Sequence, residues 1–173
     1  AKTWEMMANE EESYENLLSA KGIQARYAGL TETTVEELDK AEIFPWQIYE
    51  RALIGEEAAI EIVGNTAQAL SELLFHRIQT LALGAPETFL RDAKRTLEVE
   101  HEYIGGVFER IVIGQRLGNI WEFKKFTPLL LDPVNEKLGR MIHSSSLPAE
   151  VKSQYLTKTN RLRDDLIIHS ELR

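Results

Sequence analysis

Arginine, carboxylate and histidine side chains crowd the last stretch of the chain, Asn160-Arg161-Leu162-Arg163-Asp164-Asp165-Leu166-Ile167-Ile168-His169-Ser170. An arginine can hold a phosphate and a histidine can transfer a proton. Metal-independent RNA cleavage needs little more, because the ribose 2′-hydroxyl supplies the nucleophile. Read as one helix from Ser146 to Arg173, the segment puts Val151, Tyr155, Leu162, Leu166 and His169 on a single face. Arg161, Asp165 and His169 then stack along one flank, each one turn from the next, and Arg163 points to the other flank. A carboxylate one turn before a histidine orients the ring and favours the imidazolium, which makes Asp165 the positioning group for His169. The plain alternative is an ion ladder on a helix flank, with His169 closing an apolar stripe.

A second constellation is Glu98-Val99-Glu100-His101, a Glu-x-x-His. Residues three apart on a helix point the same way, so Glu98 and His101 can bind one metal inside a bundle. Glu57 or Glu61 would add a carboxylate, and Glu136 with the Asp165/His169 pair would form a second half-site. This is the spacing of ferritin-like di-iron bundles, except that the last pair is Asp-x-x-x-His. The competing role for His101 is a hydrogen-bonded core residue. His76 reads as a bundle-edge packing residue, and His143 as a cation at a helix C-terminus. Trp121, Phe123 and Phe126 beside Lys124-Lys125 suit either base stacking or anchorage of a connection into the core.

The run Arg163-Asp164-Asp165-Leu166-Ile167-Ile168-His169 resembles the arginine-to-histidine signature of HEPN domains. Five residues separate Arg163 from His169, one more than in the commonest form, and Asp164 stands where that form has Asn. The resemblance implies a small helical bundle that binds RNA or cleaves it as an endoribonuclease, as in toxin–antitoxin and phage-defence systems. It casts Arg163 as the phosphate ligand, His169 as the acid or base and Asp165 as its orienter, in a homodimer meeting across this helix, with no cofactor. Two other classes stand beside it. One is a non-catalytic helical interaction or regulatory protein that assembles through its acidic N-terminal helices. The other is the ferritin-like metal bundle built on Glu61, Glu98 and His101.

Composition narrows the field. The 173 residues fit one all-helical domain, with 1–45 as acidic N-terminal helices and 46–173 as the main bundle. The absence of cysteine excludes disulfides, thiolate nucleophiles and cysteine-held zinc or iron–sulfur sites, and fits a reducing, cytoplasmic setting. No apolar run approaches a membrane span, and Ala1-Lys2-Thr3-Trp4-Glu5 does not read as a signal peptide. The net charge of −8 is unevenly placed: residues 1–62 carry 14 acidic and 5 basic side chains, residues 63–173 carry 14 and 15. An acidic N-terminal third argues against coating by nucleic acid, while the remainder leaves room for a local phosphate patch.

The elements that must position these groups are helices. Hydrophobic spacing predicts a helix over 3–20 that ends at Lys21-Gly22. It predicts a short helix opened by a Thr34/Glu37 capping box, then a stiff corner at Phe44-Pro45-Trp46. Residues 46–83 form the longest stretch, striped by Ala59, Val63, Ala67, Leu70, Leu74, Ile78 and Leu81, with Gly64-Asn65 as a place to bend. Residues 86–117 continue as a helix whose seam runs through Leu90, His101, Ile104, Phe108 and Ile111. An aromatic connection follows over 119–131, then a helix from Asp132-Pro133 to His143, a Ser144-Ser145-Ser146 loop, and the last helix. No segment alternates as a strand does. The expected fold is an all-α bundle of about five or six helices with a four-helix core.

Overall fold

The computed structural model describes residues 14–84, 102–113, 118, 120 and 123–163, with the backbone of 169–170. The protein is a helical bundle. Its elements are α1 (Tyr14–Leu18), α2 (Ala20–Leu30), α3 (Val35–Lys40), α4 (Pro45–Leu53), α5 (Glu57–Leu83), strand β1 (Val112–Ile113) and a 3₁₀ helix (Lys124–Leu129). They continue with α6 (Leu131–Ser144), α7 (Ala149–Tyr155) and strand β2 (His169–Ser170). The expected all-α architecture is what forms. α5 is its axis, and α1, α2, α4 and α6 pack around it.

Local chemistry sets several of the boundaries. Thr34 accepts from the Glu37 backbone N–H, and the Glu37 carboxylate accepts from the Thr34 N–H at 2.8 Å, so the expected capping box opens α3. The Thr34 N–H and the Thr34 hydroxyl, which lies 3.0 Å from the same carboxylate, hold the exposed Glu37 carboxyl below its ordinary pKa. Pro45 occupies the first turn of α4, where its missing N–H costs nothing. The long stretch over 46–83 divides at Gly55 rather than at Gly64. Gly55 has φ 91°, a conformation that side-chain-bearing residues avoid, and α5 runs unbroken through Gly64. Lys21-Gly22 does not end a helix. Ser19 caps α2 by accepting from the Gly22 N–H at 3.0 Å, and Gly22 lies against α1.

Two large apolar clusters divide the interior, with a small third one where Tyr14 of α1 meets Ala69 of α5. The first joins Ile23 and Tyr27 of α2, Ile48 and Tyr49 of α4, Ile62 and Val63 of α5, and Phe126, Leu130 and Val134. The second joins Phe75 and Ile78 of α5 to Leu138, Ile142, Val151, Tyr155 and Leu162. Of the α5 stripe expected from spacing, Ala59, Val63, Ala67, Leu70 and Ile78 are buried, and Leu74 and Leu81 are half-buried. The aromatic connection also packs as anticipated. Phe126 is fully buried, its ring edge-on to Trp46 at 5.1 Å and to Tyr49 at 5.6 Å. Phe123 meets Trp46 edge-on at 4.5 Å. Lys125 lies 4.7 Å from the Trp46 ring and bonds Glu50 at 2.8 Å. Phe126 is thus an anchor in the core, whereas Phe123 stays 48% exposed beside Trp46; Trp121 is outside the described residues.

Two expected helices are corrected. The seam through Ile104, Phe108 and Ile111 is not helical: 102–105 form turns, and Val112–Ile113 pair in parallel with His169–Ser170. Leu90, Glu98 and His101 fall outside the described residues. The last helix stops at Tyr155 instead of running to Arg173. Leu156 turns extended and pairs antiparallel with Leu162, and the chain reverses over Thr157-Lys158-Thr159-Asn160. The Thr157 N–H donates to the Arg161 carbonyl at 2.7 Å, and the Asn160 N–H to the Thr157 carbonyl at 2.9 Å. Two β-branched threonines favour extended backbone, and asparagine tolerates the left-handed conformation that Asn160 adopts at φ 59°.

Candidate functional site

The hairpin 156–162 folds onto α6, and the seam between them is an open groove of about 940 Å³. One wall is a stripe of α6 made by Asp132, Asn135, Glu136, Arg140, His143 and Ser144; the other is Thr159 to Leu162. Helical periodicity explains the first wall, since these positions recur three and four apart on the face opposite the buried Val134, Leu138 and Ile142. The second wall is held by its own turn and by the burial of Leu162 in the second cluster. The hairpin backbone comes close at Gly139, where a Cβ would lie 3.4 Å from the Asn160 carbonyl oxygen. The Lys152 ammonium donates to the carbonyls of His143 (3.0 Å) and Ser145, closing the C-terminal end of α6 and tying α7 to it.

Tyr155 is the post to which the surrounding segments are fastened. Its carbonyl accepts from the Arg163 N–H at 3.1 Å, and its hydroxyl accepts from the Phe108 N–H at 2.7 Å. Burial raises the pKa of that hydroxyl, and the Phe108 N–H opposes the shift in part. Four residues beyond Phe108, Val112 pairs with His169. The backbones of Arg163 and of His169 are therefore both carried by segments tied to one buried tyrosine.

The individual expectations fare differently. Arg161, Asp165 and His169 do not stack on a helix: Arg161 closes the hairpin turn and His169 is in β2. The helical reason for Asp165 to orient His169 goes with that ladder, and Asp165 itself is outside the described residues. Burial alternates over Arg161 (exposed), Leu162 (buried) and Arg163 (half-buried), as in extended chain, so the two arginines lie on the side away from the core. Val151, Tyr155 and Leu162, expected to share a face, do share a cluster, but the chain reaches it through a turn.

Glu98 and His101 of the proposed metal site are outside the described residues, and Glu61 is exposed on α5. Among the described residues no three His, Asp or Glu side chains converge as a metal site would require. Glu136 pairs with Arg140 at 3.1 Å across one turn, so it is engaged on the groove wall. His143, set aside by sequence as a helix-end cation, lines the groove with Arg140 and Arg161. Only the folding back of the hairpin reveals this.

His76 is half-buried on α5, and burial lowers its pKa below the ordinary 6.5, against the opposing pull of Gln79 and Glu72. The folded state thus binds this proton more weakly than the unfolded chain. Stability from this site is present above the unfolded pKa and declines as pH falls through it. Urea midpoints measured from about pH 7.5 down to about pH 5 should fall more steeply for the wild type than for His76→Gln.

Comparison with family models, curated proteins and solved structures finds no match to this chain. Among the described residues no helix is long and apolar enough to cross a membrane.

Proposed function

We propose that this helical domain binds RNA and cleaves it without a metal. The groove between α6 and the hairpin would serve as the RNA track, and Arg163 and His169 as the reacting pair. The observation that carries the reading is the convergence on Tyr155 of the segments bearing Arg163 and His169, beside a groove lined by Arg140, His143 and Arg161. The groove volume lies within the range of about 300–1,000 Å³ typical of ligand sites. Its lining is rich in donors: two guanidinium groups, an imidazole, the amides of Asn135 and Asn160, and the hydroxyls of Ser144 and Thr159. The acidic side chains there, Asp132 and Glu136, favour a track that contacts few phosphates over one that coats a duplex.

The chemistry follows from the residue types. A base removes the 2′-hydroxyl proton, and the 2′-oxygen attacks the adjacent phosphorus. The P–O5′ bond breaks, and an acid protonates the leaving 5′-oxygen, giving a 2′,3′-cyclic phosphate and a 5′-hydroxyl. His169 serves as one of these proton carriers, and Arg163 neutralises the charge that builds on the phosphoryl oxygens.

The test is cleavage of a mixed RNA pool in excess chelator. Wild type should yield cyclic-phosphate ends, and Arg163→Ala and His169→Ala should each lose about 10²–10⁴-fold in rate. Arg161→Ala should keep the cleavage chemistry, weaken RNA binding and lower the salt-dependence slope by roughly one. Absence of both cleavage and binding by folded wild-type protein would remove the RNA reading.

A further inference from the structure

Away from the groove, the corner between α4 and α5 carries apolar side chains that packing leaves uncovered. Ile54 is 83% exposed, and Leu53 and Ile60 on either side of it are also exposed. Leu30, the last residue of α2, is exposed as well. A partly buried knot ties the end of α2 to the α4–α5 corner. The Tyr27 hydroxyl donates to the Glu56 carboxylate, and Arg51 Nη1 donates to the Tyr27 hydroxyl at 2.7 Å. Arg51 also pairs with Glu56 at 3.4 Å and sits over the Tyr27 ring. The chain from Leu17 of α1 to Tyr27 of α2 runs antiparallel to α5, since the Thr66 hydroxyl reaches the Leu17 carbonyl at one end while Tyr27 reaches Glu56 at the other. Leu30, three residues past Tyr27, therefore lies at the same end of the bundle as Leu53, Ile54 and Ile60.

Single exposed apolar residues are ordinary, but several gathered on one surface mark an interaction site. The charge around these residues selects the partner. From Leu30 to Glu61 the chain has nine carboxylates and two basic residues. Arg51 and Glu56 are engaged with each other in the knot and Glu50 pairs with Lys125, which leaves seven carboxylates against Lys40. Glu32, two residues past Leu30, and Glu57, at the start of α5, make no ion pair among the described residues. An apolar surface rimmed by uncompensated carboxylates attracts a segment with an apolar stripe flanked by lysine or arginine. It repels nucleic acid and acidic partners.

We propose that the α2/α4–α5 corner is a docking surface for a basic amphipathic helix of a partner protein. The helix lays leucine-sized side chains over Leu30, Leu53, Ile54 and Ile60, and its basic flanks face Glu32 and Glu57. This is helix-on-surface recognition, with anchors three and four apart, and the carboxylate rim adds speed and discrimination more than affinity. The surface is separate from the groove and does not depend on the RNA reading.

The test uses the full chain as bait against a displayed library of random peptides, followed by fluorescence anisotropy of a recovered peptide. Recovered sequences should carry apolar residues at helical spacing with an excess of lysine and arginine. Ile54→Glu, a change at a surface position that leaves the core intact, should weaken binding by about tenfold or more. The double variant Glu32→Gln/Glu57→Gln should bind more weakly and with a flatter dependence on salt. RNA cleavage by Ile54→Glu should match the wild type. The proposal is overturned if no peptide is recovered, if recovered peptides lack basic residues, or if Ile54→Glu binds them unchanged. It is also overturned if sedimentation shows a wild-type dimer that Ile54→Glu disperses, because the surface would then belong to a second copy of this chain.

Discussion

Phe126→Ala should lower the stability of the protein by about 3–5 kcal/mol, measured as a shift in urea midpoint without a change in slope. The ring is fully buried in the 3₁₀ segment, edge-on to both Trp46 and Tyr49, and packs in the cluster that joins α2, α4 and α5. Truncation to Ala removes the ring's burial and both aromatic contacts. The surrounding helices cannot close on the gap without moving Leu130 and Val134 at the start of α6. Phe126→Leu, which keeps most of the volume, should cost roughly 1–1.5 kcal/mol. If the two variants cost the same, the ring is not packed as described.

The second large effect comes from adding one methyl group. At Gly22 a Cβ would fall onto the Asn16 carbonyl and lie 2.6 Å from the Asn16 Cα. Both obstacles are backbone atoms of α1, so no side-chain rotation relieves them. Gly22→Ala should therefore separate α1 from α2 at a cost of about 3 kcal/mol or more. In an ordinary exposed helix the same change would stabilise by about 0.5–1 kcal/mol. The opposite signs make thermal melting a decisive measurement. A rise in melting temperature would mean that α1 does not approach α2 at this point.

Gly22 also shows where sequence reasoning falls short. Lys21-Gly22 resembles a helix end, because glycine favours C-terminal caps, yet here its lack of a side chain serves close helix approach. The features that were legible are those written within a few residues: the Thr34/Glu37 box, Pro45 at the start of α4, and the apolar stripe of α5. The end of the chain is ambiguous by sequence because Val151, Tyr155 and Leu162 fit helical spacing and also fit a short helix followed by a hairpin. Thr157, Thr159 and Asn160 held the signal, as poor helix formers gathered between the apolar positions. The groove was harder to foresee. Arg140 and His143 are legible as one face of α6, but Arg161 joins them only when the hairpin turns back. That contact spans some twenty residues of sequence and has no local marker. The backbone ties of the segments that carry Arg163 and His169 run through Tyr155 and the β1–β2 pairing, neither of which leaves a motif.

The length of α5 has a consequence for how the molecule comes apart. Its 27 residues extend about 40 Å, enough to pass through both apolar clusters. Leu74 on α5 packs against the two of them, as does Ile111 from the β1 segment. Unwinding either half of α5 uncovers Leu74, which both clusters share. The two cores are thereby joined into one cooperative unit, and the protein should pass from folded to unfolded in a single transition, with no half-melted species in which one core survives alone.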